Sequence, residues 1–277
     1  MSCDVAQALN DAQRLLSGSD SALLDAQCLL SAVINKPRSF LYAWPEHQIT
    51  QAQQQSFQQW VARRQQGEPI AYILGEQEFW SLKLAVEPGV LIPRGDTETL
   101  VELILATPMP SIARVLDLGT GSGAIALALA SERPNWDVTA TDQSTLCTRV
   151  AKINASQFGL TNVTVIQSDW FESVIGQFNV VVSNPPYIDT EDDAVEQAVR
   201  TYEPSEALFA KQQGLADLYS IIESAMGYLV VGGCLVLEHG WQQHKEVAQQ
   251  LQKTGFVKVA SVADINGHTR VTYGFKP

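Results

Sequence analysis

From residue 112 to the C-terminus, short apolar runs rich in β-branched residues alternate with segments of helical periodicity. This alternation admits few folds. The strand-like runs are 112–118, 136–141, 163–166, 178–183, 234–237, 256–263 and 270–275. The helix-like stretches between them are about 123–132, 144–158, 214–229 and 241–254. Such a pattern builds a mostly parallel sheet with helices on both faces, an α/β architecture. The last two runs flank residues 264–269, which read as a hairpin loop. No internal repeat is evident.

The chain ahead of this region reads differently, and three domains are expected. Residues 1–66 carry a small helical bundle of three helices. Val5, Leu9, Ala12 and Leu16 fall at helical spacing, as do Leu23, Ala26, Leu30 and Val33. A third helix is expected from Thr50 as N-cap, with Phe57, Trp60 and Val61 on one face and a glutamine-rich solvated face opposite. Residues 67–93 hold short strand-like runs, 71–74, 82–86 and 90–92, broken by glycine and proline, and predict a β-hairpin linker. Residues 94–277 form the remaining domain, and Asp96 is expected to cap its first helix.

Composition narrows the function classes. Eighteen basic against thirty acidic residues give a net charge of −12 over 277 residues. Such a chain lacks the basic footprint of a nucleic-acid binder, so no stable nucleic-acid binding is expected. The four cysteines, Cys3, Cys28, Cys147 and Cys234, form no Cys-x-x-Cys pair, and neither a metal site nor a disulfide framework is expected. The N-terminus lacks the basic and apolar regions of a signal peptide, and no run approaches the ~20 apolar residues of a membrane span. A cytoplasmic protein is expected. No dimerisation heptad is evident, and a monomer is expected.

The run from Val180 to Tyr187 carries the chemistry. Three valines make a buried strand, and Pro185 and Pro186 end it because neither has an N–H for the ladder. Asn184 therefore stands at the carboxyl end of a strand, where open α/β sheets bind ligands. The Asn184 carboxamide and the Pro185 carbonyl could accept both N–H bonds of a planar NH2, while Tyr187 packs on its face. The nitrogen lone pair, otherwise delocalised, would then point at an electrophile. This is catalysis by orientation and hydrogen bonding. A proline-terminated turn has the same local sequence, and both readings stand at this point.

The first strand runs into Asp117, Leu118, Gly119, Thr120, Gly121, Ser122, Gly123 and Ala124. Its glycines let the backbone turn and approach a ligand closely. The spacing also satisfies the dinucleotide fingerprint, so a nicotinamide oxidoreductase is a rival. Asp142, ending the second strand, could accept from both hydroxyls of a ribose. Asp117 puts a carboxylate beside the ligand, which suits an ammonium better than a pyrophosphate. Asp169 and Trp170 follow the third strand, where a nucleoside base would end. Each Asp alone could be a helix cap. All four features falling at successive strand ends, in this order, is harder to assign to chance.

This layout resembles the S-adenosylmethionine-dependent methyltransferases with the Rossmann-like seven-stranded sheet. Within them, Asn-Pro-Pro-Tyr marks enzymes that methylate a planar NH2, on adenine or on glutamine. Further segments are similar to the bacterial release-factor glutamine N5-methyltransferases. They are Gly67 to Tyr72, Phe79-Trp80, Leu91 to Arg94 with Asp96 to Glu98, Val115 to Gly123, Ser183 to Ile188, Glu203-Pro204 and Arg270 to Thr272. The resemblance covers nearly the whole chain, including the N-terminal helices. Gly95 departs from it, standing where the family usually has proline.

The resemblance implies S-adenosylmethionine as cofactor and, as protein partner and substrate, peptide chain release factors methylated at the glutamine of their Gly-Gly-Gln tripeptide. Asn184, Pro185 and Tyr187 would be the catalytic groups, and Asn184 to Tyr187 would bind the substrate. Asp117, Gly119 to Gly123, Asp142, Asp169, Trp170 and Asn184 would line the cofactor site. His239 is a conceivable base, more readily read as structural. The alternatives are an adenine N6-methyltransferase acting on DNA or RNA, and a nucleoside-binding adaptor without turnover.

Overall fold

Asp4 starts the first helix by accepting a bond from the Gln7 N–H at 2.8 Å, and Thr50 with Gln53 forms a full capping box on the fourth. The computed structural model describes residues 3–193 and 195–277; Met1 and Ser2, part of the N-terminus read above for a leader, and Ala194 lie outside them. The chain forms two compact units, Met1–Glu76 and Gln77–Pro277.

In the first unit, β1 (Cys3–Asp4) leads into α1 (Val5–Leu15), α2 (Ala22–Ile34) and α3 (Arg38–Ala43). Then come β2 (Gln48–Ile49), which pairs with β1, α4 (Gln51–Gln65) and α5 (Ile70–Leu74). Val5, Leu29, Leu30, Phe57 and Val61 fill its core. The buried Asp25 takes bonds from Arg64 at 2.8 Å and from Ser19 and Ser21 at 2.9 Å each, tying α2 to α4. Three helices were expected over 1–66; the six-residue α3 is too short to display a period.

Residues 71–74, expected as a strand, are helical. The Tyr72 and Ile73 N–H groups return to the Pro69 carbonyl, and Gly75 closes the turn at φ 74°. An apolar run of four does not separate strand from helix. The hairpin is real but shifted: β3 (Glu76–Phe79) pairs with β4 (Leu82–Ala85). Its two loop residues, Trp80 and Ser81, both have positive φ, as the right-handed twist of a two-residue hairpin demands. Residues 90–92 are not a strand; Val90 instead packs on Cys147 and Val150.

In the second unit a 3-10 turn, Gly95–Thr97, precedes α6 (Glu98–Ala106). Asp96 does not cap α6; it binds Arg270 at 3.3 Å and Asn266 at 3.3 Å. The alternating region follows as β5 (Arg114–Leu118), α7 (Ala124–Glu132), β6 (Asp137–Asp142), α8 (Thr145–Gln157), β7 (Val163–Gln167) and β8 (Phe178–Ser183). After β9 (Ile188–Asp189) come the short α9 (Gln197–Tyr202), α10 (Ser205–Leu208), β10 (Phe209–Ala210) and α11 (Lys211–Gly214). The chain ends with α12 (Ala216–Tyr228), β11 (Leu229–Glu238), α13 (His244–Thr254), β12 (Val257–Ala263) and β13 (Thr269–Phe275).

The central sheet has seven strands in the order β12-β13-β11-β8-β5-β6-β7. β13 runs antiparallel to both neighbours and the remaining pairs are parallel. The apolar runs of β5 and β8 are buried on both faces, between one cluster built around α7 and another built around α12 and α13. Strand order reverses at β5, which has β6 on one side and β8 on the other. Among the described residues no helix is long and apolar enough to cross a membrane.

Candidate active site

The reversal at β5 opens a crevice at the carboxyl ends of the parallel strands, the place where open α/β sheets take their ligands. It is a cleft of about 810 Å³, large enough for a nucleoside ligand and more. Gly119, Thr120, Gly121, Ser122, Asp142, Asp169, Trp170, Asn184, Pro185 and Pro186 line it. Residues from the ends of β5, β6, β7 and β8 thus meet in one space. Sequence reasoning missed Asp217, Ser220 and Glu206, which face the same cleft from α12 and α10. Nothing in their local sequence distinguishes them from solvated helix positions.

The loop after β5 is held by its own backbone. Gly119, Gly121 and Gly123 all have positive φ, a conformation side chains resist. Gly119 also lies against Trp170, with room for a Cβ only 3.4 Å from the indole ring. Gly123 does not line the cleft; it is the left-handed N-cap of α7. Asp142 accepts from the Gly121 N–H through Oδ2 and from the Ser144 N–H through Oδ1, both at 2.9 Å. It fastens the loop to the end of β6 while facing the cleft. Ser144, not Asp142, caps α8. Burial raises the Asp142 pKa, and the two backbone bonds pull it back.

Asp117 lies beneath the loop, fully buried. Its Oδ2 accepts from the Thr120 hydroxyl at 2.6 Å and from the Ala126 N–H at 3.2 Å, so it does cap α7. Among the described residues its Oδ1 has no hydrogen-bond partner. Burial pushes its pKa up to about 7. A buried acceptor without a donor is costly, and a cationic donor would relieve it.

At the end of β8, the Ser183 hydroxyl bonds the Leu118 carbonyl at 2.8 Å, locking β8 to β5 where the motif begins. Asn184 donates through Nδ2 to Thr97 Oγ1 at 3.1 Å. Its carboxamide oxygen is therefore the atom left to receive an incoming N–H. Tyr187 stands apart from the cleft lining: its hydroxyl donates to Glu238 Oε1 at 3.3 Å, and burial raises its pKa. His239 is fully buried, with Nδ1 on the Gly240 carbonyl at 2.9 Å and Nε2 on the Thr272 hydroxyl at 2.7 Å. Burial lowers its pKa to about 4, so it is a structural, neutral imidazole.

A seven-stranded sheet with one reversed strand, and a glycine loop at its switch point followed by carboxylates at the next two strand ends, is the arrangement of the Rossmann-like methyltransferases. Comparison with known proteins agrees. A family model described as the PrmC N-terminal domain matches residues 7–75, and one described as the methyltransferase small domain matches residues 94–250. A release factor glutamine methyltransferase of Shewanella oneidensis is 48% identical over 98% of this chain and 95% of its own length. One from Escherichia coli strain K12 is 45% identical over 96% of each. Among solved structures, a methyltransferase from Pyrococcus furiosus superposes with a TM-score of 0.54 at 21% identity, over 78% of this chain and 96% of that one, a likeness of fold. The chain belongs to the release factor glutamine methyltransferase family.

Proposed function

We propose that this protein transfers a methyl group from S-adenosylmethionine to the side-chain nitrogen, N5, of the glutamine in the Gly-Gly-Gln tripeptide of peptide chain release factors. The observation that carries the reading is the Asn184 carboxamide, held at the switch-point cleft with its NH2 turned to Thr97 and its oxygen available.

When bound, S-adenosylmethionine supplies a methyl group on a cationic sulfonium. The residues present fit it. The orphaned, buried Asp117 Oδ1 suits an ammonium, Asp142 the ribose hydroxyls, and Asp169 with Trp170 the base. The cleft carboxylates Asp142, Asp169, Asp217 and Glu206 favour a cationic ligand and oppose a pyrophosphate, which argues against a nicotinamide cofactor.

Asn184 Oδ1 and the Pro185 carbonyl accept the two N–H bonds of the substrate amide and turn its nitrogen lone pair toward the electrophile. Pro185 and Pro186 keep that backbone stiff. Tyr187 supports the strand end through Glu238. No side-chain base is assigned: both ring nitrogens of His239 are occupied, and the amide proton leaves to solvent after transfer. The charge of −12 supports a protein substrate over a nucleic acid.

The Asn184→Ala variant should lose about 10²- to 10³-fold in turnover, the scale for one preorganised polar group, with cofactor binding retained. Near-normal turnover would rule out the clamp. Methyl incorporation into duplex DNA that falls steeply with salt would instead favour an adenine methyltransferase.

A further inference from the structure

An amide clamp works only one way round. If the Asn184 carboxamide flipped, its NH2 would face the substrate NH2, donor against donor. Something must fix the flip, and the residue that touches Asn184 is Thr97, at 3.1 Å. A hydroxyl has one proton and two lone pairs, so it can receive an amide N–H or donate to an amide oxygen. The direction depends on where the hydroxyl proton goes.

The surroundings decide it. Thr97 precedes α6, yet its hydroxyl makes no capping bond to that helix. The nearby Glu238 carboxylate is buried, and burial raises its pKa to about 7 although Thr97 works against that rise. The bond recorded at the Thr97 oxygen is the one it accepts from Asn184 Nδ2, and with Nδ2 so engaged the carboxamide oxygen faces the other way. Glu238 is held in turn by the Tyr187 hydroxyl at 3.3 Å and by the field of Arg270, which itself bonds Asp264 at 3.0 Å and pairs with Asp96. Among the described residues Glu238 Oε2 has no hydrogen-bond partner although the side chain is fully buried. Such an arrangement costs stability, which is expected of a group retained for what it does to its neighbours.

We propose that Thr97 is a positioning residue that fixes the Asn184 carboxamide with its oxygen toward the substrate amide. The inference rests on the reading of Asn184 as the amide clamp. Thr97 lines the cleft beside Asn184 but acts through it, not on the substrate.

The test is a double-mutant cycle in single-turnover methylation of a purified release factor by the full-length enzyme. Thr97→Val keeps the shape and removes the hydroxyl; it should slow methyl transfer about 10- to 100-fold, the scale of a misaligned reacting group, with cofactor affinity unchanged. Thr97→Ser should restore the rate to within about threefold of wild type, since one hydrogen bond is regained. In the Asn184→Ala background the valine substitution should change the rate by less than about twofold, because residues acting as a unit are not additive. Thr97→Ala serves as the second deletion if the valine variant does not fold.

A full-rate Thr97→Val enzyme, or an equal loss in both backgrounds, overturns the positioning role while the clamp stands. An Asn184→Ala enzyme with normal turnover removes the clamp, and this inference falls with it.

Discussion

Two carboxylates, Asp117 and Glu238, are fully buried, and each has one oxygen without a hydrogen-bond partner among the described residues. Burial pushes both pKa values up to about 7. The sign follows directly. The folded protein holds these protons more tightly than the unfolded chain. Each group therefore favours folding below its ordinary value near 4, and that contribution is lost as pH rises through 7. For Glu238 the loss is on the order of 3 kcal/mol, at ~1.4 kcal/mol for each pH unit between the two values. Glu238→Gln, which never ionises, should flatten the fall in melting temperature between pH 4.5 and 7. An unchanged slope would contradict the assignment. The placing of Asp142 and the glycine loop at the strand ends was legible in sequence because local spacing sets it. The contacts of Thr97 and Tyr187 were not, because their partners lie 87 and 51 positions away along the chain.

At the scale of elements, the chain leaving Asn-Pro-Pro-Tyr is pinned from outside. Gln243 donates through Nε2 to the Tyr187 carbonyl at 2.9 Å and to the Gln213 carbonyl at 3.0 Å. Gly214 has φ 79°, and a Cβ there would come within 2.0 Å of the Tyr187 carbonyl oxygen. Gly214→Ala should therefore destabilise the protein by more than ~1 kcal/mol, the cost of Ala at an incompatible φ before any steric clash is added. Urea unfolding measures this, and wild-type stability would show that α11 does not pack as described. Ser144 caps α8 through the Cys147 N–H at 3.3 Å, and Ser144→Ala should cost about 1 kcal/mol in the same assay. The strands and long helices of the alternating region followed from periodicity alone. The β3–β4 hairpin was expected within 67–93, but its turn was not placed, because Trp80 and Ser81 are neither the glycine nor the asparagine that normally marks a turn with positive φ.

Over the whole molecule, alternation from residue 112 onward specified the mostly parallel sheet, and the resemblance named it a seven-stranded methyltransferase sheet. The reversal at β5 explains why residues from four separate strands reach one cleft. Cleft residues on α10 and α12 stayed hidden because tertiary packing, not local sequence, brings them there. The central claim is that the clamp holds the amide of one glutamine. The most direct measurement incubates the enzyme with methyl-labelled S-adenosylmethionine and a purified release factor, then maps the label by peptide mass spectrometry. A second reaction uses a factor with the tripeptide glutamine changed to alanine. The account predicts one methyl group on that glutamine side chain and none on the altered factor. Equal label on both factors, or label at any other residue, would contradict it.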